Sequence, residues 1–290
     1  MPVSVVTGAT GGIGLAVAEG LARAGHCVVV TGRSREKGEA ALTRLRSAVP
    51  GAELEFRLLD MASLKAVAAF AEAWDGPVDV LVNNAGVMGF PERRVTQDGF
   101  EEQFGTNYLG HFALTIRMLS ALLRAERPLV VSVASLAHRG ARIAFDDLQS
   151  ERRYDPRRAY AQSKLAMLMF ARELQRRATG RGWPIISVAA HPGWSATRIV
   201  LNGMGTGLKG RVIQAGFNLL AQSAAAGAQP ILHAALDPKA EPGGYYGPAS
   251  LGETRGKPAP AKVMPNAQDQ EAAERLWSVS EKLAGVTLPA

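Results

Sequence analysis

The sequence predicts an α/β fold in which a parallel sheet of about seven strands is covered by helices on both faces. Three observations predict it. Short apolar runs alternate with longer stretches of helical period. The runs are rich in β-branched residues and lack a polar face, as strands buried on both sides must be. A glycine-rich turn joins the first run directly to the first helical stretch.

Val3–Thr7 reads as a short buried strand, and Ile13–Ala24 as a helix with Leu15, Ala18, Leu21 and Ala22 on one side and Gly25 just past its end. Cys27–Thr31 is the second strand. Ser34–Ser47 is the second helix, with Ser34 as its N-cap. Leu54–Leu59, Val78–Val82, Leu129–Val133 and Ile185–Ala190 complete the first six strands. Helices are expected at Ser63–Trp74, Gly99–Leu123 and Arg158–Arg177. Beyond them, Asn202–Gly210 is glycine-rich, Ala224–Leu236 is helical, Tyr245–Gly247 is a short final strand, Gly256–Pro265 is a loop and Gln270–Leu283 is an amphipathic helix. With no repeat and no long linker, the expectation is one domain over residues 1–290, with a substrate-lid segment at about 195–225 and a C-terminal extension at about 250–290.

Composition narrows the function classes. Hydrophobic residues make up 47% and charged residues 20% of 290, which argues against disorder. The single cysteine, Cys27, excludes an internal disulfide and reads as a core residue in a reducing compartment. The five histidines have no ligand spacing, so no metal is expected. The net charge of +7 is scattered, without a helix-turn-helix or zinc-finger pattern, so no nucleic-acid partner is expected. No apolar stretch reaches the roughly 18–20 residues that span a bilayer, and Met1-Pro2-Val3-Ser4 opens without a basic and apolar leader. A cytoplasmic protein without a membrane anchor is therefore expected.

The turn Thr7-Gly8-Ala9-Thr10-Gly11-Gly12-Ile13-Gly14 between strand and helix lets the backbone approach a pyrophosphate at a helix N-terminus. Gly8, Gly12 and Gly14 fit TGxxxGxG, while Gly8, Gly11 and Gly14 fit TGxxGxxG, so the turn alone leaves two subtypes open. Other motifs follow in order: Asn83-Asn84-Ala85-Gly86, Asn107 within Asn107-Tyr108-Leu109-Gly110-His111-Phe112, Ser135, Tyr160-Ala161-Gln162-Ser163-Lys164, and His191-Pro192-Gly193 with Thr197 after it. Together they resemble the short-chain dehydrogenases/reductases over about residues 3–200, and in particular the branch of retinol dehydrogenases and the WW-domain oxidoreductase. The resemblance implies a doubly wound, Rossmann-type sheet.

Tyr160 and Lys164 are i, i+4 on one helix, so they share a face, and an ammonium beside a phenol favours the phenolate. The resemblance implies that Tyr160 is the acid or base, that Ser135 positions the substrate oxygen, that Lys164 tunes the tyrosine and holds the nicotinamide ribose, and that Asn107 supports a water. It further implies that Gly8, Thr10, Gly11, Gly12, Ile13 and Gly14 hold the pyrophosphate side, Asp60 and Met61 the adenine, Asn83 and Ala85 the adenosine ribose side, and Pro192, Gly193 and Thr197 the nicotinamide end, with Gly86 also binding the cofactor.

Gly32 stands where an NAD-selective chain carries an acid, and Arg33 follows it, so NADP(H) is favoured over NAD(H). Met88, Phe90, Leu136, His138 and Trp194 form a mostly apolar candidate pocket, which points to a small lipophilic carbonyl or alcohol; for His138 a structural role stands beside that of a polar rim group. Gly203–Gly210 reads as a lid or as an ordinary loop. Met167-Leu168-Met169-Phe170 reads as core or as the interface of a homo-oligomer. Two rival readings remain: a non-catalytic NADP-binding sensor, disfavoured by the intact Tyr160 and Lys164, and a sugar-nucleotide epimerase or dehydratase, disfavoured by the Asn83–Gly86 motif.

Overall fold

The computed structural model describes residues 1–194 and 222–289. The first half of the chain lays down β1 (Val3–Val6), α1 (Gly12–Arg23), β2 (Cys27–Gly32), α2 (Arg35–Ala48), β3 (Leu54–Leu58), α3 (Leu64–Glu72) and β4 (Val80–Asn83). A helical segment follows, made of α4 (Glu102–Phe104), a π-turn at Gly105–Leu109 and α5 (Gly110–Arg117), and α6 (Leu119–Leu122) comes next. Then come β5 (Leu129–Val133), a 3₁₀ turn at Leu136–Gly140, α7 (Pro156–Gly180), β6 (Ile186–Ala190), α8 (Ala224–Leu236), β7 (Tyr245–Ser250), β8 (Arg255–Pro260) and α9 (Gln270–Ala284).

One sheet runs in the order β3-β2-β1-β4-β5-β6-β7-β8, and every pair is parallel except β7 with β8. The strand order reverses between β1 and β4, and in such sheets ligands bind outside the carboxyl ends of the strands at that point. On one face α1, α2 and α8 pack Val17, Leu21, Leu42, Leu45 and Ile231 over the strands. On the other, α3, α5, α7 and α9 contribute Phe70, Phe112, Leu165, Phe170 and Trp277.

Local chemistry sets the helix starts. Ser34 accepts from the Lys37 N–H, Ser63 from Ala66 and Ser223 from Ala226, while Asp155 caps α7 ahead of Pro156 at its first turn.

Three expectations need correction. The expected loop Gly256–Pro265 begins with strand β8, the eighth strand of the sheet; its Pro258 and Pro260 mark an edge strand, since proline cannot donate to a ladder. The expected helix Gly99–Leu123 starts only at Glu102 and is broken by the π-turn and again at Met118. Cys27 is half-buried at the start of β2 rather than deep in the core, and burial and nearby carboxylates push its thiol up. Of the two readings of Met167–Phe170, the structure agrees with core: the run is fully buried within its own chain. Among the described residues no helix is long and apolar enough to cross a membrane, and no cluster of three His, Cys, Asp or Glu could hold a metal. The expected lid at Gly203–Gly210, most of the segment 195–225 and Thr197 lie outside the described residues.

Candidate active site

The glycine turn is built at the switch point between β1 and β4. Thr7 is fully buried, and its hydroxyl oxygen accepts the N–H groups of Asn84 at 2.8 Å and Ala85 at 2.9 Å. The Asn84 amide donates to the Thr7 carbonyl at 2.7 Å. Gly8 has φ 64°, and a Cβ there would stand 2.8 Å from the Ala85 Cα. A Cβ on Gly14 would stand 2.5 Å from the Asn84 amide nitrogen. The turn therefore requires glycine at both positions, and for a packing reason.

Beyond it, no described residue would meet a Cβ on Gly11 or Gly12, and α1 starts at Gly12, with Gly11 as its N-cap and no side-chain cap. Its first N–H groups are left for an anion, which fits the pyrophosphate of a dinucleotide. Thr10 lies against the end of β2, where a Cβ on Gly32 would meet its methyl at 2.6 Å, and Ile13 is half-buried at the start of α1. Arg33 is exposed just past that strand end.

The other sequence-selected cofactor residues divide. Ala85 and Gly86 are half-buried along the same loop. Asp60 is half-buried and accepts the Ala62 N–H at 3.0 Å. Met61 is buried, with its carbonyl where a Cβ on Gly110 would stand at 2.3 Å. Asn83 does not face the cleft: its side chain is buried and donates to the Thr115 hydroxyl at 2.9 Å. Asn84, not singled out from the sequence, is the asparagine that holds the turn. No local signal separates them, because β4 is buried on both faces and shows no alternation.

The π-turn aims Asn107 at the Val87 backbone. Its Oδ1 accepts the Val87 N–H at 2.7 Å, and its Nδ2 donates to the Val87 carbonyl and the Ser163 hydroxyl at 2.9 Å each. The Asn107 carbonyl accepts from His111 Nδ1 at 3.0 Å. A carbonyl only accepts, so Nε2 of His111 is the acceptor for the Thr7 hydroxyl at 2.9 Å. Burial holds His111 neutral, with its pKa pulled down to about 3. This fully buried imidazole thus links the glycine turn to the Asn107 helix.

Lys164 is buried one helical turn after Tyr160 and donates to the Val133 carbonyl at 2.9 Å. Its Nζ lies 5.9 Å from the centre of the Tyr160 ring. A Cβ on Gly86 would be 3.2 Å from Asn107 Oδ1 and 3.7 Å from Lys164 Nζ, so the loop after β4 closes over both side chains. Ser135 follows β5 in extended backbone, and its hydroxyl accepts the Ala137 N–H at 3.2 Å. Burial lowers the Lys164 pKa to about 8. Burial also pushes the Tyr160 phenol up, and a hydrogen bond with Ser135 opposes that. The direction for Tyr160 is the reverse of the sequence expectation, because desolvation of the phenolate is the largest effect. At neutral pH the phenol keeps its proton.

Met88, Phe90 and Leu136 are half-buried, and Trp194 is 48% exposed. His138 is not at a rim. It is fully buried behind Ser135, bonds the Ser135 carbonyl at 2.7 Å through Nδ1, and packs its ring edge-on to Tyr245 at 5.5 Å. Pro192 and Gly193 are half-buried in the turn after β6.

The chain matches the short chain dehydrogenase family model over residues 2–204. It is 38% identical over 289 residues to retinol dehydrogenase 12 from Mus musculus, covering 98% of this chain and 86% of that protein. It is 38% identical to polyprenol dehydrogenase from Mus musculus over 297 residues, covering 98% and 84%. A crystal structure of an uncharacterized protein from Mycobacterium Paratuberculosis matches with a TM-score of 0.82 at 38% identity, covering 100% of this chain and 96% of that one.

Proposed function

The chain belongs to the short-chain dehydrogenase family, in its retinol-dehydrogenase-like branch, and on that premise we propose that it interconverts a lipophilic ketone or aldehyde and its alcohol using NADP(H), with Tyr160 as acid and base. The observation that carries this reading is the convergence of Tyr160, Lys164, Ser135 and Asn107 beside a glycine turn with an uncapped helix N-terminus.

The nicotinamide, when bound, supplies or accepts the hydride. Gly8, Gly11, Gly12 and the start of α1 would hold its pyrophosphate, and Lys164 its ribose. The protein's own part in reduction is a proton transfer. Tyr160 donates its phenolic proton to the carbonyl oxygen, and Ser135 donates a hydrogen bond that shares the developing charge. Asn107 holds the Val87 loop over Lys164, which fixes where that oxygen sits. Oxidation of an alcohol runs the same transfer backwards and requires the phenolate.

Lys164 gives the reading a pH signature. An ammonium with its pKa lowered to about 8 is charged below that pH and loses its charge above it. Reductive turnover is expected to hold through neutral pH and to decline as the pH rises past about 8. A steady-state pH profile checks this; a profile flat well above that pH would remove the Lys164 charge from the mechanism.

The cofactor preference rests on Gly32 and Arg33. No acid stands at the end of β2 to meet a ribose 2′-hydroxyl, and the exposed guanidinium of Arg33 suits a 2′-phosphate. Arg33→Ala is expected to raise KM for NADPH about tenfold and leave KM for NADH near its wild-type value. An equal change for both cofactors would sink the assignment.

The substrate class is supported by half-buried Met88, Phe90 and Leu136 and by the names of relatives that act on long apolar alcohols, retinol and polyprenol. The direct test is NADPH consumption across aliphatic, aromatic, retinoid, polyprenoid and steroid carbonyls. Turnover on none of them, together with tight NADPH binding, would overturn the oxidoreductase reading.

A further inference from the structure

The turn between β7 and β8 reaches back to the two loops that flank Tyr160. Two of the three non-glycine residues with positive φ among the described residues, Leu251 at 50° and Glu253 at 69°, lie in this turn. Such backbone is uncommon outside glycine and persists only where surrounding contacts hold it. The contacts here converge on the Glu253 carboxylate. Its Oε2 accepts from His191 Nε2 at 3.1 Å and from Arg139 Nη2 at 2.7 Å, and its Oε1 accepts the Lys262 N–H at 3.1 Å. Arg139 also donates to the Gly252 carbonyl at 3.1 Å.

The proton on His191 can be assigned. The Gly193 N–H can only donate, and it points to His191 Nδ1 at 3.2 Å. Nε2 therefore carries the hydrogen and donates it to Glu253. Burial holds His191 well below the ordinary histidine range, consistent with this neutral tautomer. Space is made for the ring by Gly247, where a Cβ would stand 1.9 Å from Nε2. The adjoining turn is tied by backbone as well: the Trp194 N–H donates to the Thr254 carbonyl at 2.8 Å.

Arg139 sits on the 3₁₀ turn that Ser135 caps, and His191 precedes Pro192–Gly193. We propose that Glu253 is a positioning residue: its carboxylate locks the Ser135 turn, through Arg139, to the Pro192–Gly193 turn, through His191, and so fixes the nicotinamide end of the site. The proposal rests on the proposed function for what occupies that end. Glu253 touches neither substrate nor cofactor and acts through its two partners.

The test compares Glu253→Ala and Glu253→Gln with the wild-type chain. Amide hydrogen exchange is read at Gly193 and Trp194, and binding is read with NADPH and with adenosine 2′,5′-bisphosphate, which lacks the nicotinamide. In Glu253→Ala, exchange at Gly193 is expected to quicken and the Kd for NADPH to rise, each by about tenfold, while the bisphosphate binds as to wild type. Glu253→Gln, which keeps an acceptor oxygen for His191, recovers part of both losses. Unchanged Gly193 exchange in Glu253→Ala overturns the proposal, as does equal weakening of the two nucleotides. A wild-type chain that binds neither nucleotide overturns the proposed function instead, and the exchange measurement still decides the lock.

Discussion

Tyr160→Phe is expected to lower reductive turnover by about a thousandfold or more, within the range of a lost general acid, while NADPH binds as before. The substitution removes one oxygen and keeps the ring. The stacking distance to Lys164 and the packing of α7 are therefore retained, and the loss falls on the proton. In the wild-type chain burial keeps the phenol protonated at neutral pH, which is the form that reduction needs. The phenylalanine variant has no proton to give, and the Ser135 hydroxyl is left to meet the carbonyl oxygen alone. Ser135→Ala should cost less, since the proton donor survives. Steady-state NADPH consumption and a fluorescence titration of NADPH separate chemistry from binding. Wild-type turnover in Tyr160→Phe would remove the tyrosine from the mechanism. Lost turnover together with lost NADPH binding would point to a collapsed site.

That reading was legible in the sequence because the motifs are local: some sit where the chain passes out of a strand, and Tyr160 and Lys164 share a helix. Ser135 follows β5, Asn83–Gly86 spans the end of β4, and Tyr160 and Lys164 lie one helical turn apart. Local pattern was enough to place them. It failed where long-range packing decides. Which of Asn83 and Asn84 faces the glycine turn depends on the register of β4 against its neighbours. The direction of the Tyr160 shift depends on how deeply α7 is buried, not on the i, i+4 spacing of its lysine. His138 is polar and next to the serine, yet it packs on Tyr245, 107 residues later, instead of facing a substrate. The β8 strand was hidden by its prolines, and the lock at Glu253 by the 62 residues that separate it from His191. None of these pairings leaves a local trace.

Trp277→Ala is expected to cost about 3–5 kcal/mol of folding stability, the range for emptying a large aromatic site in a core. The indole is 2% exposed. It meets Phe112 of α5 edge-on at 5.0 Å and stacks on Phe170 of α7 at 5.7 Å, with the Arg177 guanidinium 4.5 Å from its ring centre. One turn on, the Ser280 hydroxyl donates to the Leu276 carbonyl and so accepts from Tyr108, the neighbour of Asn107, at 2.7 Å. Helix α9 therefore braces both helices that carry the site, and it does so on the Met167–Phe170 side of α7. Apolar residues that could have served a second copy of the chain are used within this one. The indole N–H is buried without a partner among the described residues, so Trp277→Phe removes an unsatisfied donor along with part of the ring and should lose clearly less than the alanine variant. Urea unfolding of both variants checks this, read as the shift in midpoint at constant slope. A loss below about 1 kcal/mol for Trp277→Ala, the scale of an ordinary surface change, would mean that α9 docks without stabilising the helices beneath it.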